Sequence, residues 1–354
     1  MIVQQIPHSS IDEQIKKLEK QNLIINDKAY ARYCLTTYGY SNLIKSYREP
    51  YVVMQNGKKQ FRSGVTFEQV TSLYLLDKEL RNSVMAAMLD FEEYIKENTA
   101  DVIASSFGTD HNAYLKFSNY RDKKRKKYRF SLKGILSTMQ KTIQSDKNPI
   151  KHYREEYGIV PPWILFKNVY FTTIINYISL LKPAEQLELT HKIYDSKKLG
   201  LSDESVRKLL LDTLFICSDY RNNSAHGGRI YNNIPKSTLR ADEIFLINDF
   251  DETGIGLLLF LLKLIKYGDP FKRLNQALEK EVNRHCSAYP QDITYLGQIL
   301  NINIIPTHNV YISTNPANKK YHSNMHCSGM INGKCIELEL AKQNGYIPCK
   351  KCCL

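Results

Sequence analysis

The chain has no long apolar run. Its most apolar stretch, GIGLLLFLLKLIKYG (254–268), is about a dozen residues long and carries Lys263. That is too short and too charged for a bilayer span, so it reads as a buried core helix. The N-terminus, MIVQQIPHSSIDEQIKKLEK, has neither an apolar h-region nor a small-residue cleavage site, from which a cytoplasmic protein is expected. Cysteine is nearly missing from most of the chain. Cys34, Cys217 and Cys286 are scattered, while Cys327, Cys335, Cys349, Cys352 and Cys353 crowd the last 28 residues. A secreted disulfide framework would spread its cysteines and need an export signal; clustering at one end points instead to a metal. Acidic residues are in deficit, 36 against 49 Lys plus Arg, for a formal charge of +13. A cation surplus of this size favours polyanionic partners, nucleic acid or an anionic membrane surface.

Length and composition suit a soluble globular chain with one large or two ordinary domains. Residues 10–270 read mainly as helices. FEQVTSLYLLDKELRNSVMAAMLDFEEYIKENTADVIASSF (67–107) repeats apolar residues at three- and four-residue intervals, as in Val70, Leu73, Leu76, Leu80, Val84 and Met88; a long amphipathic helix, bent or broken once, is expected. PPWILFKNVYFTTIINYISLLKP is bracketed by Pro161, Pro162 and Pro183 as one mostly apolar helix, with Trp163 and Tyr170 in the core. SDESVRKLLLDTLFICSDYRNN follows, with Ser202 as N-cap and Val206, Leu210 and Leu214 on one face. Past residue 305 the texture changes to a short β-like run (Val310, Tyr311, Ile312) and a turn-rich stretch. The basic run RDKKRKKYRF (121–130) offers Lys123, Lys124, Arg125, Lys126 and Lys127 to phosphates, with Tyr120, Tyr128 and Phe130 nearby for base stacking. A solvated face is the plainer reading of the same run.

The helix from about 203 carries Arg221 and stops at Gly227–Gly228, which suit a left-handed helix stop, so His226 falls at its C-terminus. An always-charged guanidinium beside a residue type that titrates near neutrality suits a phosphodiester. The histidine moves a proton to or from a ribose oxygen and the arginine stabilises charge on the phosphoryl group. Spacing alone equally fits a capping or surface histidine.

YRNNSAHGGRIYN resembles the signature of the HEPN superfamily, whose ribonucleases carry Arg-x4-6-His with a polar residue after the arginine. The fuller run Arg221-Asn222-x-x-Ala225-His226-x-x-Arg229-x-x-Asn232 is similar to the Abi-like abortive-infection family of bacterial phage defence. YCLTTYGYSNLIKSY (33–47), the stretch with Tyr74, Asp77, Leu80, Arg81 and Glu93, and the proline–tryptophan segment with Trp163 resemble that family in the same order, over roughly residues 15–270. The sequence departs from it at Glu97, where an arginine is expected, and at Thr172, where a glycine is expected. The resemblance implies a HEPN-type helical bundle and a metal-independent endoribonuclease that leaves a 2′,3′-cyclic phosphate and a 5′-hydroxyl. It implies catalytic roles for Arg221, Asn222 and His226, while Glu93 is either a support that hydrogen-bonds Arg221 or a solvated helix carboxylate. Arg229 and Tyr231 either contact RNA or pin the loop to the bundle. One motif per chain implies a homodimer.

The tail, KKYHSNMHCSGMINGKCIELELAKQNGYIPCKKCCL, offers His322-x4-Cys327 and Cys349-x2-Cys352, two short ligand pairs joined by a spacer. That is a framework for a tetrahedral structural Zn2+ site; no βαβ pattern supports a redox CxxC, and unliganded cysteines stay open. The pattern Tyr-His-x4-Cys, then Ala-x3-Gly-Tyr-x-Pro-Cys-x2-Cys, is similar to a zinc module of bacterial nucleases and Ada-type DNA repair proteins. His326, Cys335 and Cys353 are spare candidates.

The expected fold class is therefore mainly α: a HEPN-type helical bundle followed by a small α+β zinc-binding module. Residues 1–290 are expected to form the Abi-like HEPN domain, 291–305 a linker and 306–354 the zinc module. The expected function is an RNA-cleaving anti-phage enzyme without membrane involvement, whose partners are substrate RNA and a bound regulatory RNA. The rival reading is a non-catalytic RNA-binding HEPN protein in a ribonucleoprotein or toxin–antitoxin assembly. DNA ranks behind RNA as a partner.

Overall fold

A computed structural model describes residues 8–122, 130–247, 253–304, 309–315, 319–322, 327 and 333–350. The predicted phosphate-binding run Lys123–Lys127 and the predicted ligand Cys352 lie outside the described residues. The fold is mainly helical with two small sheets. Backbone packing separates two compact units, one of Met1–Glu79, Leu278–Gln298 and Ile302–Leu354, the other of Leu80–Ala277 and Ile299–Asn301. No helix among the described residues is long and apolar enough to cross a membrane.

In the first unit, Ile11–Lys20 starts at a reciprocal capping box between Ser10 and Glu13. Lys28–Tyr38 starts at Asp27, whose carboxylate accepts from the Tyr30 amide. Strands β1 (Val52–Gln55) and β2 (Lys58–Phe61) form an antiparallel hairpin across Asn56–Gly57, both with positive φ, 50° and 72°. Asn-Gly between two extended runs is the preferred two-residue hairpin turn, and sequence reading for helical periodicity passed over it. The long helix Phe67–Phe107 begins in this unit and runs unbroken; the expected break is absent because no glycine or proline occurs within it.

A buried carboxylate clamps this unit. Asp292 accepts from Tyr51 Oη at 2.7 Å and from Gln69 Nε2 at 3.0 Å, and lies 2.9 Å from His285 Nε2. His285 Nδ1 is 2.9 Å from Ser72 Oγ. Ser72, His285 and Asp292 thus stand in the order of a hydrolase relay. The imidazole is fully buried, however, Ser72 lies within a helix, and Tyr51 and Gln69 share the carboxylate, so the trio is a structural clamp. Burial would raise the Asp292 pKa, but the hydrogen bonds from His285, Gln69 and Tyr51 outweigh it and hold the carboxyl below its ordinary value.

The C-terminal sheet runs β5 (Gly333–Glu337), β3 (Asn309–Ser313), β4 (Lys320–His322), β6 (Ile347–Pro348), with β4–β6 the parallel pair. The β-like run at Val310–Ile312 is β3, and the helix Leu338–Gln343 packs on β3 and β5.

In the second unit the helix Asp203–Ala225, hereafter the motif helix, packs against Phe171–Ser179, Pro183–Ile193 and Gly254–Leu264. Ser202 caps it as expected, accepting from the Ser205 amide. Val206, Leu210, Leu214 and Cys217 are buried, as are Leu257, Leu258, Leu261 and Leu262 of the apolar helix. The proline–tryptophan segment is not one helix. Pro162–Lys167 ends at Asn168, Tyr170 is extended, and Phe171–Ser179 begins anew. The reason lies in Lys96: its buried ammonium donates to the Val169 carbonyl at 2.8 Å, a hydrogen bond that takes the place of helical pairing at the break. Trp163 and Tyr170 are correspondingly not core; they are 36% and 83% exposed.

Replacing Asp292 with alanine would leave its donors facing nothing and should lower unfolding free energy by about 3–5 kcal/mol, read by urea denaturation. A depressed carboxyl stabilises fully above its unfolded pKa of about 3.9 and loses that contribution as pH falls through the folded value. Wild-type stability should therefore drop below about pH 4 by a component that Asp292→Asn lacks.

Candidate functional site

The motif helix ends at a Schellman turn. Gly228 N–H donates to the Asn223 carbonyl at 2.8 Å and Gly227 N–H to the Ser224 carbonyl at 3.2 Å, with Gly227 at φ +71°. Gly228 has its own reason: a Cβ there would sit 1.7 Å from Asn223 Oδ1. The chain then folds back along the same helix and is stapled to it. Asn223 Nδ2 donates to the Arg229 carbonyl at 2.7 Å and to Asn233 Oδ1 at 2.9 Å. Asp219 accepts from the Ser237 amide at 2.8 Å, and Asp212 pairs with Arg240 at 2.7 Å. Positions 212, 219 and 223 are seven and four apart, one stripe of a helix. From the long helix, Arg81 donates to the Gly227 carbonyl at 2.8 Å. Ile230 and Tyr231 are buried, so Tyr231 pins the loop; Arg229 is exposed.

Between these anchors stand the motif side chains. Arg221 Nε lies 3.8 Å from Glu92 Oε2, and the guanidinium makes no hydrogen bond among the described residues. Glu92 Oε1 in turn holds Lys96 at 2.7 Å, so one nearly buried carboxylate serves two cations. Glu93, the expected partner of Arg221, is exposed one residue round the helix, about 100° away. The sequence held the signal for Glu92: with Lys96 it forms an i,i+4 pair inside the stripe of buried Met88, Phe91, Ile95 and Thr99.

Arg221 and Asn222 line a cavity of about 280 Å³ with Tyr170, Phe171, Thr172 and Thr173. Asn222 and His226 line a second, of about 240 Å³, with Asp219, Asn223, Asn233 and Lys236 among its walls. Arg221 and His226 are five residues apart, a net rotation of about 140°, which is why they open into different cavities with Asn222 bordering both. The His226 ring is exposed on a fixed turn. The structure thus brings Arg221, Asn222 and His226 onto one face-to-edge strip but leaves Glu93 and Arg229 outside either cavity.

In the tail, His322, Cys327 and Cys349 are buried, with donor atoms all within 4.8 Å of one another. The sheet does this: the Cys349 amide donates to the Tyr321 carbonyl at 2.9 Å, seating the cysteine beside β4. The two Sγ atoms are 3.8 Å apart. A disulfide needs about 2.05 Å, whereas two thiolates at about 2.3 Å from one tetrahedral zinc stand about 3.8 Å apart. Cys335 is exposed on β5 and outside the cluster.

Neutralising Glu92 leaves Arg221 and Lys96 without their shared counter-charge. Glu92→Gln should cost roughly 2–4 kcal/mol, while Glu93→Gln should stay within about 0.5 kcal/mol; paired urea titrations decide between the two glutamates.

No curated protein and no solved structure significantly matches the chain. The sequence model of one family, described as Abi-like protein, matches residues 33–232. The match opens at the first of the four motif blocks, closes on the last asparagine of the Arg-x4-His run, and covers more than half the sequence. The chain belongs to the Abi-like protein family.

Proposed function

We propose that the protein is a HEPN-type, metal-independent endoribonuclease serving the abortive infection to which its family points. The observation that carries the reading is the strip itself: Arg221, Asn222 and His226 stand on one rigid helix end, bordering two adjoining cavities. Their neighbours Asp219 and Asn223 are locked in hydrogen bonds, whereas, among the described residues, Asn222 and His226 make no side-chain hydrogen bond and Arg221 has only the 3.8 Å ion pair with Glu92. The ribose 2′-oxygen attacks the adjacent phosphorus, forming the O2′–P bond as the P–O5′ bond breaks. One histidine accepts the 2′-hydroxyl proton and a second delivers a proton to the departing 5′-oxygen. The products are a 2′,3′-cyclic phosphate and a 5′-hydroxyl. His226 is the acid–base group, Arg221 stabilises charge on the phosphoryl oxygens, and Asn222 orients the phosphate between them. Because Arg221 and His226 diverge on one chain, a second copy supplies the complementary motif, and a homodimer is the working form.

His322, Cys327 and Cys349 would hold a structural Zn2+, with Cys352 as the fourth ligand. A closed site of this kind lends folding energy, not catalysis. Beside Lys319, Lys320 and Lys350, all exposed, it gives the tail a cationic surface for an RNA backbone.

Purified protein should cleave RNA in EDTA and leave cyclic-phosphate ends, and His226→Ala should lower the rate by about 10²–10⁴-fold while RNA affinity survives. A folded wild type that binds RNA without cutting it would establish the non-catalytic RNA-binding reading instead. Elemental analysis should find about one zinc per chain, lost together with thermal stability in Cys349→Ser.

A further inference from the structure

We propose that Tyr170 is a nucleobase-stacking platform of the RNA site, holding the base next to the phosphate that Arg221 contacts; this rests on the RNA reading above. Tyr170 belongs to a mostly apolar segment in which the following Phe171, Ile174, Ile175 and Ile178 are all buried, yet it is itself 83% exposed. Leaving a large aromatic ring in water costs the burial that its neighbours gain. The chain keeps it there by a specific device: Lys96 grips the Val169 carbonyl at 2.8 Å, interrupts the helix, and leaves Tyr170 extended at φ −63°, ψ 146° as the N-cap of Phe171–Ser179. The same lysine is paired with Glu92, which faces Arg221. One short network therefore sets the positions of both the ring and the guanidinium.

The cavity these two share also suits a nucleotide chemically. Its walls are Arg221 and Asn222 of the motif helix and Tyr170, Phe171, Thr172 and Thr173, the N-cap and first turn of a nine-residue helix whose N-cap side chain makes no capping bond. Among the described residues no carboxylate lines it. Backbone amides at a helix start and an arginine favour a phosphate oxygen, and a planar ring at the rim favours the adjoining base. Stacking of this kind is indifferent to base identity and needs an unpaired strand, so the preferred ligand class is single-stranded RNA over duplex.

The test uses the full-length His226→Ala protein, so that RNA is bound and not consumed, and a short single-stranded oligoribonucleotide carrying 2-aminopurine. Stacking on Tyr170 quenches the fluorophore. Tyr170→Ala should lose that quench and weaken binding roughly 5- to 150-fold, Tyr170→Phe should retain both, and thermal midpoints should match because the ring is exposed. In the active protein, Tyr170→Ala should raise KM with a smaller effect on kcat. RNA bound equally tightly and quenched equally by Tyr170→Ala overturns the platform while leaving the ribonuclease reading intact. Protein that binds and quenches but never cuts removes the ribonuclease reading and leaves the platform standing. Protein that does not bind RNA at all overturns both.

Discussion

The Glu92 carboxylate is the interaction on which the arrangement of the site depends. A side chain this buried carries a charge only where partners return the lost hydration, and here they come from two directions. Lys96 lies one turn along the same helix and Arg221 comes from the motif helix. Lys96 has a second task at the Val169 carbonyl, so the carboxylate that orients the arginine also fixes where the proline–tryptophan segment breaks. The long helix supplies a further contact through Arg81 on the Gly227 carbonyl. It therefore acts as a rail along which three side chains position the arginine, the helix break and the histidine turn.

The motif helix divides labour among adjacent residues in a way that follows from its chemistry. Asp219 and Asn223 hold the returning loop as well as walling the His226 cavity, while the side chains of Arg221, Asn222 and His226 make no hydrogen bond among the described residues. Two asparagines in succession look redundant in the sequence, yet only Asn223 staples the loop, while Asn222 borders both cavities. Asn223 could not be a carboxylate, because its Nδ2 donates to two acceptors of the returning loop. The fixed turn also explains how an exposed histidine can be placed accurately: the backbone is held by the Schellman pair, Asn223 and Arg81, and only the ring remains free.

Much of this was legible in the residues. Ser202 and Gly227–Gly228 marked both ends of the motif helix, and the four ordered blocks led to the family. The tail pattern identified the three donors that the sheet brings together. What escaped did so for identifiable reasons. The bracketing prolines and the mostly apolar composition between them hid the break, because its partner, Lys96, lies far away in sequence. Glu93 drew attention as part of a motif, whereas Glu92 was marked only by its place inside a buried stripe. Tyr170 was read as core from its company, since hydrophobicity alone cannot separate a residue that packs from one left in solvent. The Asn-Gly hairpin was missed in a region scanned for helical period.

Helix geometry sets a final constraint. Residues five apart on a helix point about 140° from each other, so the Arg221 and His226 of a single chain cannot close on opposite sides of one phosphorus without bending the helix. The Schellman turn and the staples at Asn223 and Asp219 oppose such bending. In-line transfer needs proton donor and acceptor on roughly opposite faces of the phosphate, which one exposed histidine on a rigid strip does not provide. On the proposed reading, the rigidity of the strip makes each chain an incomplete half-site, and catalysis becomes contingent on pairing two copies. On that reading, reactive side chains that cannot assemble the reaction within one chain suit a nuclease whose uncontrolled activity would damage its own cell.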